Sequence, residues 1–187
     1  MKVLIGCEFT GIVRDQFRKL GHEAFSCDLL PTETNPQWHI QKDVRTILND
    51  NWDLGIFFPP CTHLCVSGAR WFKDKQTEQQ NALDFISRLL LCPIPKIALE
   101  NPIGVISTRI RKPDQIIQPY EYGHSETKAT CLWLKNLPKL KPTKIMEVRN
   151  DNLTPSGQNK LPPSKDRWKL RSRTYPGIAQ AMALQWT

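Results

Sequence analysis

The chain has 187 residues, 40% of them apolar and 24% charged, a balance that suits one folded domain, 1–187, with a single substantial core. No stretch reaches the roughly 18 apolar residues that a membrane span needs, so a spanning protein is excluded. Twenty-six Lys and Arg against 18 Asp and Glu leave a formal charge of +8, which attracts a phosphate backbone and equally describes a solvated basic surface.

Residues 2–6 are a continuous apolar run, the pattern of a buried first strand; polar Cys7 and Glu8 follow too soon for a secretion signal, and a cytoplasmic location is expected. Ile12, Val13, Phe17 and Leu20 recur on one helical face before Gly21. A second strand is expected over Glu23–Cys27, a helical turn around Val44, Ile47 and Leu48, and a third strand over Asp53–Phe58 that Pro59-Pro60 ends. The long helix begins at Thr77, with Gln80 at capping-box spacing, and carries Ala82, Leu83, Phe85, Ile86, Leu89 and Leu90. Lys96–Leu99 is a further strand that delivers Glu100-Asn101 to its carboxyl end. Thr130–Leu134 and Thr143–Val148 read as later strands, Asn150–Pro163 as a polar loop, and Ile178–Trp186 as a closing helix. Alternating strands and helices imply an α/β, Rossmann-like fold, a mostly parallel sheet with helices on both faces and ligands outside the carboxyl ends of its strands.

Three polar clusters fall at those ends. Cys7-Glu8-Phe9-Thr10-Gly11 is either a ligand-cradling turn, with free N–H groups at the helix start, or a plain turn that needs one small residue; it is not the G-x-G-x-x-G of dinucleotide sites. Asp28 and Asp43 can accept from ribose hydroxyls and an adenine amine, or cap local turns. Cys61, held after a rigid diproline, reads as a soft nucleophile or as a buried inert thiol. Glu100, as a protonated acid in a closed pocket, can donate to a pyrimidine N3 and accept from the exocyclic amine of cytosine. Cys61, His63 and Cys65 with His124 or Cys131 could ligate zinc, but the C-x3-C spacing is loose and no second compact ligand pair follows, so no metal is expected. In the segment 165–173, Lys165, Arg167, Lys169, Arg171 and Arg173 alternate, so an extended chain sets five cations on one face for phosphates. Arg109, Arg111 and Lys112 form a second basic loop, and Trp71, Tyr120, Tyr122 and Trp168 are candidates for stacking on bases.

Together these residues resemble the cytosine-5 DNA methyltransferase family, in a small form of the kind found in phages and prophages. The family's Phe-x-Gly-x-Gly turn, which binds the methionine part of S-adenosylmethionine, is matched by Phe9-Thr10-Gly11-Ile12-Val13 with its last Gly replaced. Asp28 and Asp43 stand where the family uses acids for ribose and adenine, and Pro59 and the nucleophile Cys61 match its Pro-Cys pair. Glu100-Asn101 matches its Glu-Asn pair, with Pro102 where Val is usual and Thr62 where Gln is usual. The Gln-x-Arg-x-Arg element aligns with Lys169, Arg171 and Arg173, running straight into the closing helix and leaving no room for an inserted target-recognition domain. The resemblance implies methyl transfer from S-adenosylmethionine to C5 of cytosine in DNA through a covalent Cys61 adduct. Glu100 would stabilise or protonate N3, Asn101 and Arg171 or Arg173 would position the acid, base or phosphate, and Arg109, Arg111, Lys165, Arg167 and Lys169 would bind nucleic acid. The missing domain leaves open a single-stranded or mononucleotide substrate, a specificity-giving partner protein, or a non-catalytic nucleic-acid-binding protein that keeps the fold.

Overall fold

The computed structural model describes residues 1–148 and 164–187, apart from the side chains of residues 67, 68, 70 and 71. The strands are β1 (Lys2–Gly6), β2 (Glu23–Asp28), β3 (His39–Gln41), β4 (Leu54–Phe57), β5 (Lys96–Pro102), β6 (Gln115–Ile117) and β7 (Thr130–Lys135). The α-helices are α1 (Ile12–Lys19), α2 (Gln76–Leu91), α3 (Ile106–Arg109), α4 (Arg167–Ser172) and α5 (Pro176–Gln185), joined by short 3-10 turns. The seven strands form one sheet in the order β3-β2-β1-β4-β5-β7-β6. Pairing is parallel from β3 through β5, whereas β7 runs antiparallel to both β5 and β6. This is the Rossmann-like α/β arrangement that alternating apolar runs imply.

Strand pleating divides the core. Val3 and Ile5 of β1, Leu54 and Ile56 of β4, Ala98 and Leu132 face α1 and α5, where Val13, Phe17, Ile178, Ala179 and Met182 complete one apolar cluster. Leu4, Phe57, Ile97, Leu99 and Trp133 face the other way and meet Leu83, Ile86 and Leu89 of α2. A sheet covered on both faces needs apolar residues at successive positions, which is why β1 and β4 read as unbroken runs. No helix among the described residues is long and apolar enough to cross a membrane.

Several expectations are corrected. The helix α2 starts at Gln76 with Lys75 as its N-cap residue and no side-chain cap, because the Gln79 N–H already reaches the Lys75 carbonyl at 3.0 Å. Thr77 therefore lies inside the first turn and forms no capping box. Thr143–Val148 is not a strand; it is mostly exposed and touches the fold through an isolated bridge between Tyr122 and Lys144. The segment 165–173 is not extended, because Arg167–Ser172 coils into α4. At a helical pitch Arg167 and Arg171 share a face while Lys169 points elsewhere, so the single stripe of five cations does not form. The loop expected over Asn150–Pro163 lies outside the described residues.

The chain returns to close the sheet at Gly177. A Cβ there would stand 1.8 Å from the Tyr122 carbonyl oxygen, and the Gly177 N–H donates to His124 Nε2 at 3.0 Å. Only glycine lets the start of α5 approach so closely. Gly177→Ala is expected to cost about 1–3 kcal/mol, as overpacking does elsewhere, read as a lower urea midpoint with an unchanged slope.

Candidate active site

Register builds the site. Gly6 pairs with Phe57, and Phe57 with Leu99, so β1, β4 and β5 end side by side at the point where the strand order reverses. The turn after β1, the diproline loop after β4 and Glu100-Asn101 of β5 therefore open into one crevice, as the sequence led us to expect.

In the turn after β1, Cys7 takes φ 59° and Gly11 φ 74°, which reverses the chain into α1. The Glu8 carboxylate, buried, accepts from the Val13 N–H at 2.7 Å and the Arg14 N–H at 3.4 Å, and the Thr10 hydroxyl donates to it at 3.3 Å. The N–H groups expected to be free at the helix start are thus occupied by the chain's own carboxylate. A pyrophosphate would have to displace the Glu8 carboxyl from the helix start, so the turn offers it no ready cradle. Phe9 is buried against Trp168 of α4, with ring centroids 6.0 Å apart. Beneath the turn the buried Arg14 guanidinium bonds to Asp15, Ser26 and Thr34, and Ser26 bonds to His39 at 2.8 Å.

The two acids of the sequence reading differ in state. Asp28 ends β2 half-buried, accepts from the Leu30 N–H at 2.9 Å, and has its carboxyl pushed up by burial. Exposed Leu29 follows it at the crevice mouth, a combination suited to a sugar beside an apolar ring face. Asp43 instead caps a 3-10 turn and is gripped by the Arg45 guanidinium at 2.9 Å, which holds it below the ordinary range. Burial raises the Cys7 and Cys27 thiols, and the charges of Asp28 and Asp43 add to it.

The diproline loop is clamped to β5. Asn101 Nδ2 donates to the buried Pro59 carbonyl at 2.9 Å, and Asn101 Oδ1, also buried, has no hydrogen-bond partner among the described residues. Gly104 presses on the same loop, where a Cβ would stand 2.0 Å from the Leu64 carbonyl oxygen. Cys61 is half-buried and contacts the Cys65 thiol; that hydrogen bond, burial and the Glu100 charge raise its pKa, while Lys128 lowers it. Burial raises the Glu100 carboxyl, opposed by Lys128 and by Thr130. The Thr130 hydroxyl has one proton. Given to the Lys128 carbonyl at 3.0 Å, it leaves the oxygen to accept from a protonated Glu100; turned to Glu100, it donates to the carboxylate.

Lys128 and Thr130, which the sequence reading missed, thus stand beside Glu100 where Arg171 or Arg173 was expected. Arg171 reaches the cluster through its backbone, whose carbonyl accepts from Lys128 Nζ at 3.1 Å, and Arg173 pairs with Glu33 at 2.6 Å. The α4 segment therefore straps the β1 turn to the β7 end. Arg111 is tied to Asp114 at 2.7 Å and to the Leu134 carbonyl at 3.1 Å, which gives it a structural task. Arg109, Lys112 and Lys165 are exposed. Tyr122 belongs to the core, and the side chain of Trp71 lies outside the described residues. Among the described residues no three His, Cys, Asp or Glu groups are placed to hold a metal ion.

No family model and no curated protein sequence matches this chain. Among solved structures it is similar to one from E. coli described as a "putative DNA modification methyltransferase encoded within prophage", at 14% identity and a TM-score of 0.45. The match covers 78% of this chain and 52% of that one, so this chain spans about half that protein's length. At that level the likeness assigns no activity here.

Burial pushes the Glu8 carboxyl from an ordinary 4.5 to about 7. Between those values the folded chain keeps a proton that the unfolded chain has released, so the contribution is full below 4.5 and is lost as pH rises through 7. Glu8→Gln retains an acceptor for the Val13 N–H and has nothing to titrate. The variant is expected to lack a stability loss of up to about 3 kcal/mol that the parent shows across this window, read from urea unfolding at pH 5 and pH 8.

Proposed function

We propose that this protein is a methyltransferase that transfers a methyl group from S-adenosylmethionine to C5 of cytosine in DNA. The observation that carries the reading is the meeting of Cys61, Glu100 and Lys128 at the carboxyl ends of β4, β5 and the start of β7, where Glu100 and Lys128 both act on Cys61 and Lys128 acts on Glu100. Asp28, exposed Leu29 and the acid-capped turn from Cys7 to Gly11 fit an adenosine carrying a cationic sulfonium and ammonium, and these residues would hold it. When bound, that group supplies an electrophilic methyl.

The chain's own residues do the rest. Cys61 gives up its proton to the Glu100 carboxylate, and its sulfur adds to C6 of the pyrimidine. Glu100, kept toward the acid form by burial, donates to N3 and takes up the charge that the addition sends into the ring. The electron pair then available at C5 takes the methyl; a water molecule acting as base removes the C5 proton, the N3 proton returns to Glu100, and expulsion of the Cys61 sulfur restores the ring. Cys61 as thiolate with Glu100 as acid, and Cys61 as thiol with Glu100 as carboxylate, carry the same net charge. Lys128 balances that one charge in either place. Asn101 acts as a positioning residue by fixing Pro59, two residues before the nucleophile. A cytosine within a duplex must leave the stack to reach this crevice, and exposed Arg109, Lys112 and Lys165 are available to phosphates.

Incubation with methyl-labelled S-adenosylmethionine and, separately, duplex DNA, single-stranded DNA, RNA and dCMP tests the reading. Label in duplex DNA is expected; label in dCMP alone would replace polymer with nucleotide as substrate, and label in none would remove the enzyme reading. Cys61→Ser is expected to abolish transfer, because a hydroxyl ionises far less readily than a thiol. Two further variants should move Cys61 alkylation by iodoacetamide at pH 7.5 in opposite directions. Lys128→Ala removes a cation and is expected to slow it about tenfold, the effect of roughly one unit in pKa; Glu100→Gln removes an anion and is expected to speed it while lowering methyl transfer at least about 100-fold. Equal alkylation rates in all three proteins would contradict the shared-charge arrangement.

A further inference from the structure

The loop that carries the nucleophile also carries a second thiol for which methyl transfer has no use. The Leu64 and Cys65 N–H groups both donate to the Cys61 carbonyl, each at 3.0 Å, so the chain coils through one turn and brings Cys65 back over Cys61. The two thiols are hydrogen-bonded to one another. Cys65 leaves the turn with extended backbone, φ −84° and ψ 144°, which frees its Cα–Cβ bond from a helical direction. Their exposure is unequal. Cys65 is 8% exposed and held by its bridge to Gly104, with the next residue's N–H on the Ile103 carbonyl at 3.1 Å, whereas Cys61 faces the crevice. A small reagent thus reaches Cys61 first and finds Cys65 already behind it. Cys92 and Cys131 are buried in the core, and Cys27, also buried, has Cys7 as its neighbour across β1 and β2 rather than within one turn of chain.

We propose that Cys61 and Cys65 form a site of reversible oxidation, closing to an intramolecular disulfide by exchange with a small disulfide of the glutathione type. In the first step Cys61 loses its proton and its sulfur attacks one sulfur of the incoming disulfide. A mixed disulfide forms at Cys61 and one thiolate leaves. Cys65 then loses its proton and attacks the Cys61 sulfur, forming the internal bond and expelling the second thiolate. Two protein thiols are oxidised, the small disulfide is reduced to two thiols, and the two protons lost by the protein are taken up by the leaving groups. A disulfide spans about 2.05 Å between sulfurs and favours Cα atoms about 5.5–6 Å apart, a separation typical of residues one tight turn apart. The Lys128 ammonium supports the attacking thiolate, while the thiol contact and burial hold Cys61 protonated at rest, so exchange should quicken as pH rises from 7 to 9. While the bond is closed, Cys61 cannot add to a pyrimidine.

The test uses the whole folded protein with glutathione disulfide at pH 8, followed by an acid quench, alkylation of remaining thiols with N-ethylmaleimide, and peptide mass mapping. The parent protein is expected to show a Cys61–Cys65 disulfide with no glutathione retained. Cys65→Ser is expected to keep one glutathionyl group on Cys61, and Cys61→Ser to acquire neither modification; dithiothreitol should reverse both products. A parent protein that stores the Cys61 mixed disulfide as long as Cys65→Ser does, or that remains fully reduced while folded, would overturn the proposal. These readouts follow sulfur chemistry alone, so they stand or fall separately from the methyl-transfer assay.

Discussion

The parallel register of β1, β4 and β5 is the constraint on which the rest depends. Because Gly6, Phe57 and Leu99 lie side by side, three loops with no sequence proximity leave the sheet at one level. Each loop is then held by a specific device rather than by general packing. Glu8 caps α1 from inside, Asn101 ties down Pro59, and Gly104 admits the Leu64 carbonyl where any side chain would collide. The α4 segment adds a strap across them through Phe9–Trp168 and Arg173–Glu33.

The chemical consequence is a small set of charges in a poorly solvated place. The Glu100 charge raises the cost of ionising Cys61, and Lys128 lowers it for both. Such an arrangement favours one negative charge over none or two, which is the condition under which a thiolate and a neutral acid coexist. Glu8 is a different kind of buried carboxyl. Its partners are backbone N–H groups, its role is to shape the turn, and its raised pKa is a cost carried by stability.

The sequence made the sheet and the three loop clusters legible because buried parallel strands have an unmistakable pattern: unbroken apolar runs, stopped by Gly6, by Pro59-Pro60 and by Pro102. It hid β3 and β6, which are three residues long and carry no such run. It misled over residues 165–173, where cations alternate with Asp166, Trp168, Leu170 and Ser172 over too short a window to separate a period of two from a helical turn. It misled also over Thr143–Val148, whose β-branched residues find no continuous partner strand. Lys128 was not visible because it sits in a polar stretch without periodicity. The signal available was its place at the head of the strand Thr130–Leu134, which the fold sets antiparallel to Glu100's strand, with Leu132 opposite Glu100 and Thr130 opposite Pro102. Arg171 and Arg173 drew attention by charge, by their alternate spacing and by the Gln-x-Arg-x-Arg resemblance, and none of these says which surface a helix will cover.

The central claim is that Cys61 adds to C6 of a cytosine while Glu100 serves N3, and trapping the addition product tests it most directly. With fluorine in place of hydrogen at C5, methylation leaves no proton there to remove, so the sulfur cannot depart. The measurement is denaturing mass spectrometry, with peptide mapping, of the protein incubated with a 5-fluorocytosine oligonucleotide and S-adenosylmethionine. The account predicts a stable adduct on the peptide that contains Cys61, formed only when S-adenosylmethionine is present and absent from Cys61→Ser. An adduct on another residue, or the same adduct in Cys61→Ser, would contradict it.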